Sequence, residues 1–212
     1  MNGKNQYAVL THAEMNKPYN YTVDKQKKTV SGDKLKNPEI HTSNFLIEIC
    51  FKSAVGQGRS ILVEKMGRAG YSLTLNAKGG VTLTVKERDR EVKLESALKV
   101  NDARWHHVIA EADRQAKTMT IYLDGRKNAV GRGLGSESLA NLLDLYVGGS
   151  PKGNCLNGAI EFVRICQGTL KDARTTIEEL FHWQFHGPQY HDFTGRKPTG
   201  LRRDAGALEF VR

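Results

Sequence analysis

Alternation of apolar and polar side chains over short segments restricts the fold of this chain more than any other feature. Residues 70–75 read "GYSLTL", with a large apolar side chain at every second position, and residues 81–85 repeat the pattern as "VTLTV". Neighbouring side chains in a strand point to opposite faces, so this period of two predicts strands with one buried and one polar face. The glycine-containing segment "NAKGG" between them predicts a hairpin.

A second hairpin is predicted in "WHHVIAEADRQAKTMTIYLDGRKNA" (105–129), with its turn at 114–117. The predicted register pairs six residues into one apolar face: Val108 with Leu123, Ala110 with Ile121, and Ala112 with Met119. Six others share the opposite face, which we expect to be open to solvent: His107, Ile109, Glu111, Thr120, Tyr122 and Asp124. Trp105, at the start of the strand, is expected to pack in the core.

Five further segments are predicted to be strands: 7–11, 45–52, 60–65, 143–149 and 158–166. Strands at this spacing, with glycine-rich turns and almost no helix between them, predict an all-β fold, a two-sheet antiparallel β-sandwich or jelly roll. The lysine-rich residues 20–39 are interpreted as an inserted surface loop that could carry a small hairpin of its own.

One short C-terminal helix is predicted at "TIEELFHWQF" (176–185). Thr175 and Glu178 form a capping box at its start, and Pro188 follows its end. His182 and His186 lie one helical turn apart, a spacing that zinc can use, but no HExxH pattern accompanies them. We do not expect a metal there.

The 212 residues suffice for one ordinary all-β domain. We expect it to span residues 1–187, with the insertion at about 20–39. Residues 188–212 alternate too poorly for a core strand and are interpreted as an extended tail packed on that domain. Three cysteines, Cys50, Cys155 and Cys166, lack metal-type spacing and are expected to be buried thiols, although Cys50 and Cys166 could pair if their strands are neighbours.

The net charge of +9, from 32 Lys and Arg against 23 Asp and Glu, favours acidic partners or anionic surfaces. The basic residues are dispersed and dense only at 25–28 and 86–93, so nucleic-acid binding is not expected. No apolar stretch approaches the roughly 20 residues that cross a bilayer. The start "MNGKNQYAVL" lacks a secretory signal. We therefore expect either a cytoplasmic protein or a module of a longer exported one.

The predicted strands, taken in order, resemble bacterial laminin-G-like, concanavalin A-like lectin/glucanase domains over residues 2–185. The most specific blocks are "WHHV…IYLDG" (105–125) and "VGG…NGAIEFVRI" (147–165). The tail "DFTGR…RDAGALEF" (192–210) is similar to the C-terminal ends of large exported proteins of polysaccharide-degrading bacteria. This resemblance implies a jelly roll that binds polysaccharide beside a catalytic neighbour domain, in a secreted, periplasmic or cell-surface protein. It also implies calcium as a cofactor in some relatives, without placing its ligands here.

Some enzymes of the family that this chain resembles hydrolyse glucans with Glu, Asp and Glu on one strand. Glu111 and Asp113 fill the first two positions loosely, but Ala116 stands where the last carboxylate is needed. Retaining hydrolysis requires two carboxyl groups about 5 Å apart. We therefore expect no catalytic residues and a non-catalytic carbohydrate-binding module, with a glycoside hydrolase or lyase, or a structural or adhesive domain, as alternatives.

The carbohydrate is expected to contact the polar face of the second hairpin. Tyr122 offers a ring for the C–H face of a sugar, and its neighbours offer hydrogen-bonding groups. The predicted carbohydrate-binding residues are His107, Glu111, Thr120 and Tyr122. A solvated face without a ligand, or a face that the insertion covers, is the alternative. The positive charge favours acidic or sulfated polysaccharide.

Overall fold

The computed structural model describes five stretches of the chain: 1–15, 19–23, 26–30, 38–135 and 137–171. For residues 19–23 and 26–30 it describes the backbone alone. The predicted helix at 176–185 and the predicted tail at 188–212 lie outside these stretches. None of the described helices is long and apolar enough to span a bilayer.

The described residues form thirteen strands and one short helix. In chain order these are β1 (Ala8–Leu10), α1 (His12–Met15), β2 (Tyr19–Val23), β3 (Gln26–Val30), β4 (Phe45–Ser53), β5 (Ser60–Met66), β6 (Gly70–Leu75), β7 (Val81–Lys86), β8 (Glu91–Glu95), β9 (His106–Asp113), β10 (Thr118–Leu123), β11 (Arg126–Arg132), β12 (Leu145–Val147) and β13 (Gly158–Gln167). Every strand predicted from alternation is confirmed. The insertion carries the β2–β3 hairpin, in agreement with the small hairpin considered for that segment.

Two antiparallel sheets form the β-sandwich, as predicted. The six-stranded sheet has the order β1-β12-β5-β6-β7-β8, and the five-stranded sheet has the order β11-β10-β9-β4-β13. The register of the β9–β10 hairpin matches the prediction, with Met119 opposite Ala112 and Ile121 opposite Ala110. These residues belong to one buried core with Phe45, Leu73 and Leu83, so apolar side chains from both sheets meet between the layers.

Two edge strands, β8 and β11, were not predicted. Their sequences, "EVKLE" and "RKNAVGR", alternate between exposed and partly buried positions and carry charged side chains along the edge. Charged side chains on an edge strand prevent pairing with other chains, but they also weaken the apolar signal by which a strand is predicted. Edge strands of this kind are therefore the hardest to predict from alternation.

The connections between strands lie at two ends of the sandwich. The end that we call the Trp105 end carries the connections at 54–59, 76–80, 96–105 and 124–125. The end that we call the Arg114 end carries those at 67–69, 87–90, 114–117 and 133–144. Trp105 itself is 39% exposed, with the Lys52 amine 5.3 Å from its ring centroid. The expectation that Trp105 packs in the core is wrong, because the residue lies in a loop just before β9 rather than within the strand.

None of the three cysteines, all of which lie in the described stretches, forms a disulfide. Strands β4 and β13 are neighbours, but Cys50 lies opposite Phe162 and Cys166 lies opposite Leu46. Cys50 and Cys155 are buried as expected, whereas Cys166 is partly exposed. The two cysteines on these neighbouring strands are thus out of register with each other.

A buried ion pair closes the Arg114 end. The guanidinium of Arg114 lies 2.9 Å from Oε1 of Glu87, and both side chains are fully buried. Arg114 also donates to the carbonyl groups of His41 and Glu137, and the second carboxylate oxygen of Glu87 lies 2.5 Å from Arg90. Arg114 follows β9 of one sheet and Glu87 follows β7 of the other, so the pair joins the two sheets at this end.

Replacement of Arg114 with Met should destabilise the protein strongly, because it leaves the buried carboxylate of Glu87 without its main partner. We expect the free energy of unfolding in urea to fall by about 3 kcal/mol or more. Lys78→Met provides the control, since the Lys78–Glu95 pair (3.2 Å) is on the surface and should contribute at most about 1 kcal/mol. Equal, small losses in the two variants would contradict the structural role of Arg114.

Candidate functional site

The four predicted carbohydrate-binding residues share one face of the five-stranded sheet. Thr120 lies opposite Glu111, and Tyr122 lies opposite Ile109. Ile109 is two residues from His107, so the two side chains share a face. The apolar residues between them point into the core. The predicted assignment of residues to faces is therefore confirmed, and this face points away from the other sheet.

This face is nevertheless not open to solvent at its centre. His107 is 1% exposed, and its Nε2 lies 2.8 Å from Oε1 of Glu48, which is itself fully buried. The guanidinium of Arg164 contacts the other carboxylate oxygen of Glu48. The expectation of solvent exposure is wrong for His107, because polar and charged groups from β4, β9 and β13 bind one another across the face. It is also wrong for Ile109 and Thr120, which are buried.

The segment that follows β13 covers part of the same face. Leu170 is buried against Leu46 and Ile109, and its backbone N–H donates to Oε2 of Glu111 at 2.7 Å. The chain turns at Gly168, whose positive φ of 112° is readily accessible to glycine. Glu111 thus binds the chain's own backbone.

The remaining predicted residues differ in accessibility. Thr120 is buried, whereas Tyr122 is half-buried, with the Lys127 amine 5.9 Å from its ring centroid. Burial raises the pKa of Tyr122, and the nearby carboxylate of Glu111 raises it further. Carbohydrate contact by His107, Glu111, Thr120 and Tyr122 stays a prediction, and of the four only Glu111 and Tyr122 are partly exposed.

The expected acidic triplet ends in a turn. Asp113 closes β9, and its Oδ1 accepts the backbone N–H of Ala116 at 2.8 Å. Ala116, at the position of the missing third carboxylate, therefore lies in the turn before β10. Both acidic residues of the incomplete triplet bind backbone N–H groups of their own chain.

A groove of about 360 Å³ lies on the outer face of the six-stranded sheet. We call it the threonine groove, and its lining residues are Arg59, Thr74, Asn76, Ala77, Lys78, Thr82, Thr84, Lys93 and Glu95. The pairing of β6, β7 and β8 sets Thr74 beside Thr82 and Thr84 beside Lys93. Directly paired residues share a face, so strand register alone brings the lining together.

The floor and the rim of the threonine groove differ in chemistry. Thr82 and Thr84 are almost buried and form the floor, where β-branched threonine suits the strand backbone. The amide of Asn76 donates to the Thr82 hydroxyl at 3.2 Å. Among the described lining residues, the rim has three basic side chains against the single carboxylate of Glu95. The groove therefore combines hydroxyl groups with a net positive rim.

The outer face continues from the groove toward β12. Glu64 lies opposite both Ser72 and Tyr146, and the rings of Tyr146 and Tyr7 make an edge-to-face contact with centroids 5.9 Å apart. Burial raises the pKa of Glu64, and Lys152 partly opposes that rise. Polar and aromatic side chains thus extend across the sheet beyond the groove.

Two carboxylates hold His106 at the Trp105 end. Its Nδ1 lies 2.9 Å from Asp124, and its Nε2 lies 2.9 Å from Asp102, which also binds Arg104 at 2.7 Å. Burial acts to lower the pKa of His106, but hydrogen bonds to Asp124 and Asp102 outweigh burial and raise that pKa. Both ring nitrogens donate only in the protonated imidazole, so the geometry favours a charged His106.

The family follows from a comparison with known sequences. A laminin G model of the concanavalin A-like lectin/glucanases superfamily matches residues 30–174. The chain belongs to this superfamily. The resemblance drawn from the strand sequences is confirmed, and no curated protein matches the chain.

Solved structures share the concanavalin A-like fold at low sequence identity. The binding domain of Paraclostridial Mosquitocidal Protein 1 aligns with a TM-score of 0.55 and 18% identity, over 84% of this chain and 48% of that one. Domains LG4-5 of the mouse laminin alpha1 chain align with a TM-score of 0.50 and 15% identity, over 61% and 39%. A candidate carbohydrate-binding protein from Bacteroides ovatus aligns with a TM-score of 0.50 and 16% identity, over 66% and 40%. The chain thus spans about half, or less, of these solved chains, and the likeness shows the fold alone.

Calcium, which the superfamily resemblance implies, has no evident site in the described residues. Calcium takes six to eight oxygen ligands. Within residues 1–15, 38–135 and 137–171, no three acidic, histidine or cysteine side chains are grouped to hold a metal. Asp102 and Asp124, the carboxylates that lie close together at the Trp105 end, are bound to His106. Calcium stays a prediction that rests on the resemblance alone. His182 and His186, the pair whose spacing zinc could use, lie outside the described residues.

We expect Glu111→Ala to release the segment around Leu170, because it removes the acceptor of the Leu170 N–H. Amide hydrogen exchange at Leu170 should accelerate by about tenfold, the equivalent of one lost charge-assisted hydrogen bond. Thr120→Val alters a buried neighbour on the same face without removing that acceptor and serves as the control. Unchanged exchange at Leu170 in Glu111→Ala would show that the contact does not hold the segment.

The His106 pairing should make stability depend on pH. Because the folded-state pKa of His106 is raised, its contribution is complete below the ordinary imidazole pKa of about 6.5 and is lost as pH rises through the raised value. We expect the difference in melting temperature between the wild type and His106→Gln to shrink from pH 6 to pH 9. His41→Gln, at the opposite end, is the control. A difference that grows with pH would contradict the assignment.

Proposed function

We propose that the chain is a non-catalytic carbohydrate-binding module that prefers acidic polysaccharide and binds it in the threonine groove. The observation that carries the proposal is the composition of that groove, a floor of threonine hydroxyls beneath a rim with three basic side chains and one carboxylate. The superfamily contains lectins and glucanases, so carbohydrate is the ligand class that its fold favours.

The chemistry of the groove suits an anionic glycan. Threonine hydroxyls and the Asn76 amide can exchange hydrogen bonds with sugar hydroxyls. Arg59, exposed at the rim, can bind a carboxylate or sulfate through two parallel hydrogen bonds. Lys78 and Lys93 pair with Glu95 and Glu91 on the exposed surface, so they add less attraction than Arg59 does. Because the rim is exposed, its attraction for the ligand should weaken as salt rises.

The groove offers little for hydrolysis. A glycoside hydrolase needs two carboxyl groups on either side of the bond that it cleaves. Among the described lining residues, Glu95 is the only carboxylate, and it pairs with Lys78 at 3.2 Å. Glu111 and Asp113, the remnant of the acidic triplet, lie on the other sheet. This arrangement supports binding over cleavage by a hydrolase or lyase on the same scaffold.

The face around Tyr122 is the second candidate for carbohydrate contact. Its partly exposed ring and the amine of Lys127 favour it, whereas the burial of His107 and the covering Leu170 oppose it. A structural or adhesive domain that packs on a catalytic neighbour is the third candidate. We further propose that the module is part of a larger secreted, periplasmic or cell-surface bacterial protein, in line with its resemblance to polysaccharide-degrading systems.

Calorimetry with polygalacturonate, a sulfated glycan and a neutral β-glucan should test the groove. Thr84→Val removes one floor hydroxyl with little change of shape, and Arg59→Ala removes one rim charge. Each should weaken binding of the acidic glycans by about two- to fivefold, the scale of one exposed polar contact. Thr120→Val, on the other sheet, and Arg88→Ala, at the Arg114 end, are matched controls that should bind as the wild type does.

Other outcomes separate the alternatives. Loss of binding in Tyr122→Ala alone would place the ligand on the five-stranded sheet. Release of reducing ends that Glu111→Gln abolishes would show a hydrolase. Absence of binding to every glycan would favour the structural role, and binding that is indifferent to salt would remove the argument from charge.

A further inference from the structure

Three large apolar side chains are exposed at the Trp105 end. Val55 is 77% exposed, Leu98 is 59% exposed and Trp105 is 39% exposed. Val55 lies in the connection 54–59, and the other two lie in the connection 96–105. Single exposed apolar residues are ordinary on a protein surface, but a group of three in two touching loops is a candidate contact surface.

Hydrogen bonds hold these two loops together. The Gly56 N–H donates to the Asn101 carbonyl at 3.0 Å, and the Asn101 side-chain amide donates to the Gln57 carbonyl at 3.0 Å. The Ser53 hydroxyl donates to the Val100 carbonyl at 3.1 Å. The apolar side chains are therefore carried by a fixed backbone, and little conformational entropy is lost when they bind.

The charge around these side chains is positive. The Lys52 amine lies beside the Trp105 ring, and Lys99 is exposed next to Leu98. The two carboxylates nearby are already engaged, since Asp102 binds Arg104 and His106, and Asp124 binds His106. In the part of the chain that the structure describes, this end thus presents apolar tips beside the basic groups of Lys52 and Lys99, while Asp102 and Asp124 are paired with other side chains.

We propose that the Trp105 end docks peripherally on anionic lipid bilayers. Tryptophan favours the headgroup level of a membrane, aliphatic tips gain free energy by entering the acyl boundary, and basic side chains are attracted to anionic headgroups. Protruding loops can enter that boundary, whereas the flat faces of the sheets cannot. This end therefore differs from the threonine groove, which has hydroxyls and charges but no exposed aliphatic tip.

The Arg114 end provides a matched control. Leu142 is 81% exposed there, more than any apolar residue of the Trp105 end. Arg88 is exposed at the same end. If exposed leucine and arginine alone caused membrane binding, Leu142 and Arg88 would contribute as much as Leu98 and Lys99.

Tryptophan fluorescence tests the proposal directly. The chain has two tryptophans, so Trp183→Phe leaves Trp105 as the single reporter. With vesicles of phosphatidylcholine and phosphatidylserine, we expect its emission to shift to shorter wavelength and to be quenched by brominated acyl chains. Vesicles of phosphatidylcholine alone should give a weaker response, and added salt should reduce the response to anionic vesicles.

Variants assign the binding to this end. Leu98→Ser and Lys99→Glu should each weaken partition into anionic vesicles, with Leu98→Ser reducing it by about tenfold, the scale of one buried leucine side chain. Leu142→Ser and Arg88→Glu should partition as the parent does, and thermal unfolding should confirm that all four variants fold. Absence of partition into anionic vesicles, or equal losses in the Leu142 and Leu98 variants, would overturn the proposal. Since no glycan is present, either result is independent of the threonine groove.

Discussion

Burial of apolar side chains between the two sheets determines where every other group lies. Each strand commits alternate residues to the shared core, and a shift of one residue would exchange the two faces. The same register that places Leu73 and Leu83 in the core places Thr82 and Thr84 on the outer face. The floor of the threonine groove is thus formed by the polar positions of the same strands whose apolar positions form the core. Core packing and ligand surface cannot be altered independently in these strands.

The two outer faces use their polar groups differently. On the five-stranded sheet, Glu48 binds His107 and Arg164, and Glu111 binds the backbone of Leu170, so the charges there hold the protein's own structure. On the six-stranded sheet, the described groove residues leave Arg59 exposed at the rim. Charges that are satisfied internally add little attraction for a ligand, because their partners already occupy the binding positions. This contrast is the physical reason for our proposal that carbohydrate binds on the six-stranded sheet.

The sequence predicted the strands with clear apolar alternation, the β9–β10 register and the sharing of faces, since these depend on local alternation. It missed the charged edge strands β8 and β11. It did not predict what lies over each face. The contact between Glu111 and Leu170 joins residues 59 positions apart, and no local pattern signals it. His107 alternates as an outward polar residue, yet its burial depends on Glu48 from another strand. The threonine pattern of residues 72–84 was visible as a polar face. Of its basic rim, Lys78 lies in the local turn, but Arg59, just before β5, and Lys93, in β8, are brought near only by the sheet order.

The threonine groove and the Trp105 end meet in one loop. Residues 54–59 carry Val55 at the end of the sandwich and Arg59 at the rim of the groove. Both proposed ligands, an acidic glycan and an anionic bilayer, are attracted by positive charge, and exposed charges act over about 8 Å at physiological ionic strength. Replacement of Arg59, the charged residue of this loop, should therefore affect binding at both surfaces. Replacement of the uncharged Thr84 or Leu98 should affect binding at one surface only. Short-range contacts made by uncharged side chains, and not the net charge of +9, must carry the distinction between the two ligands.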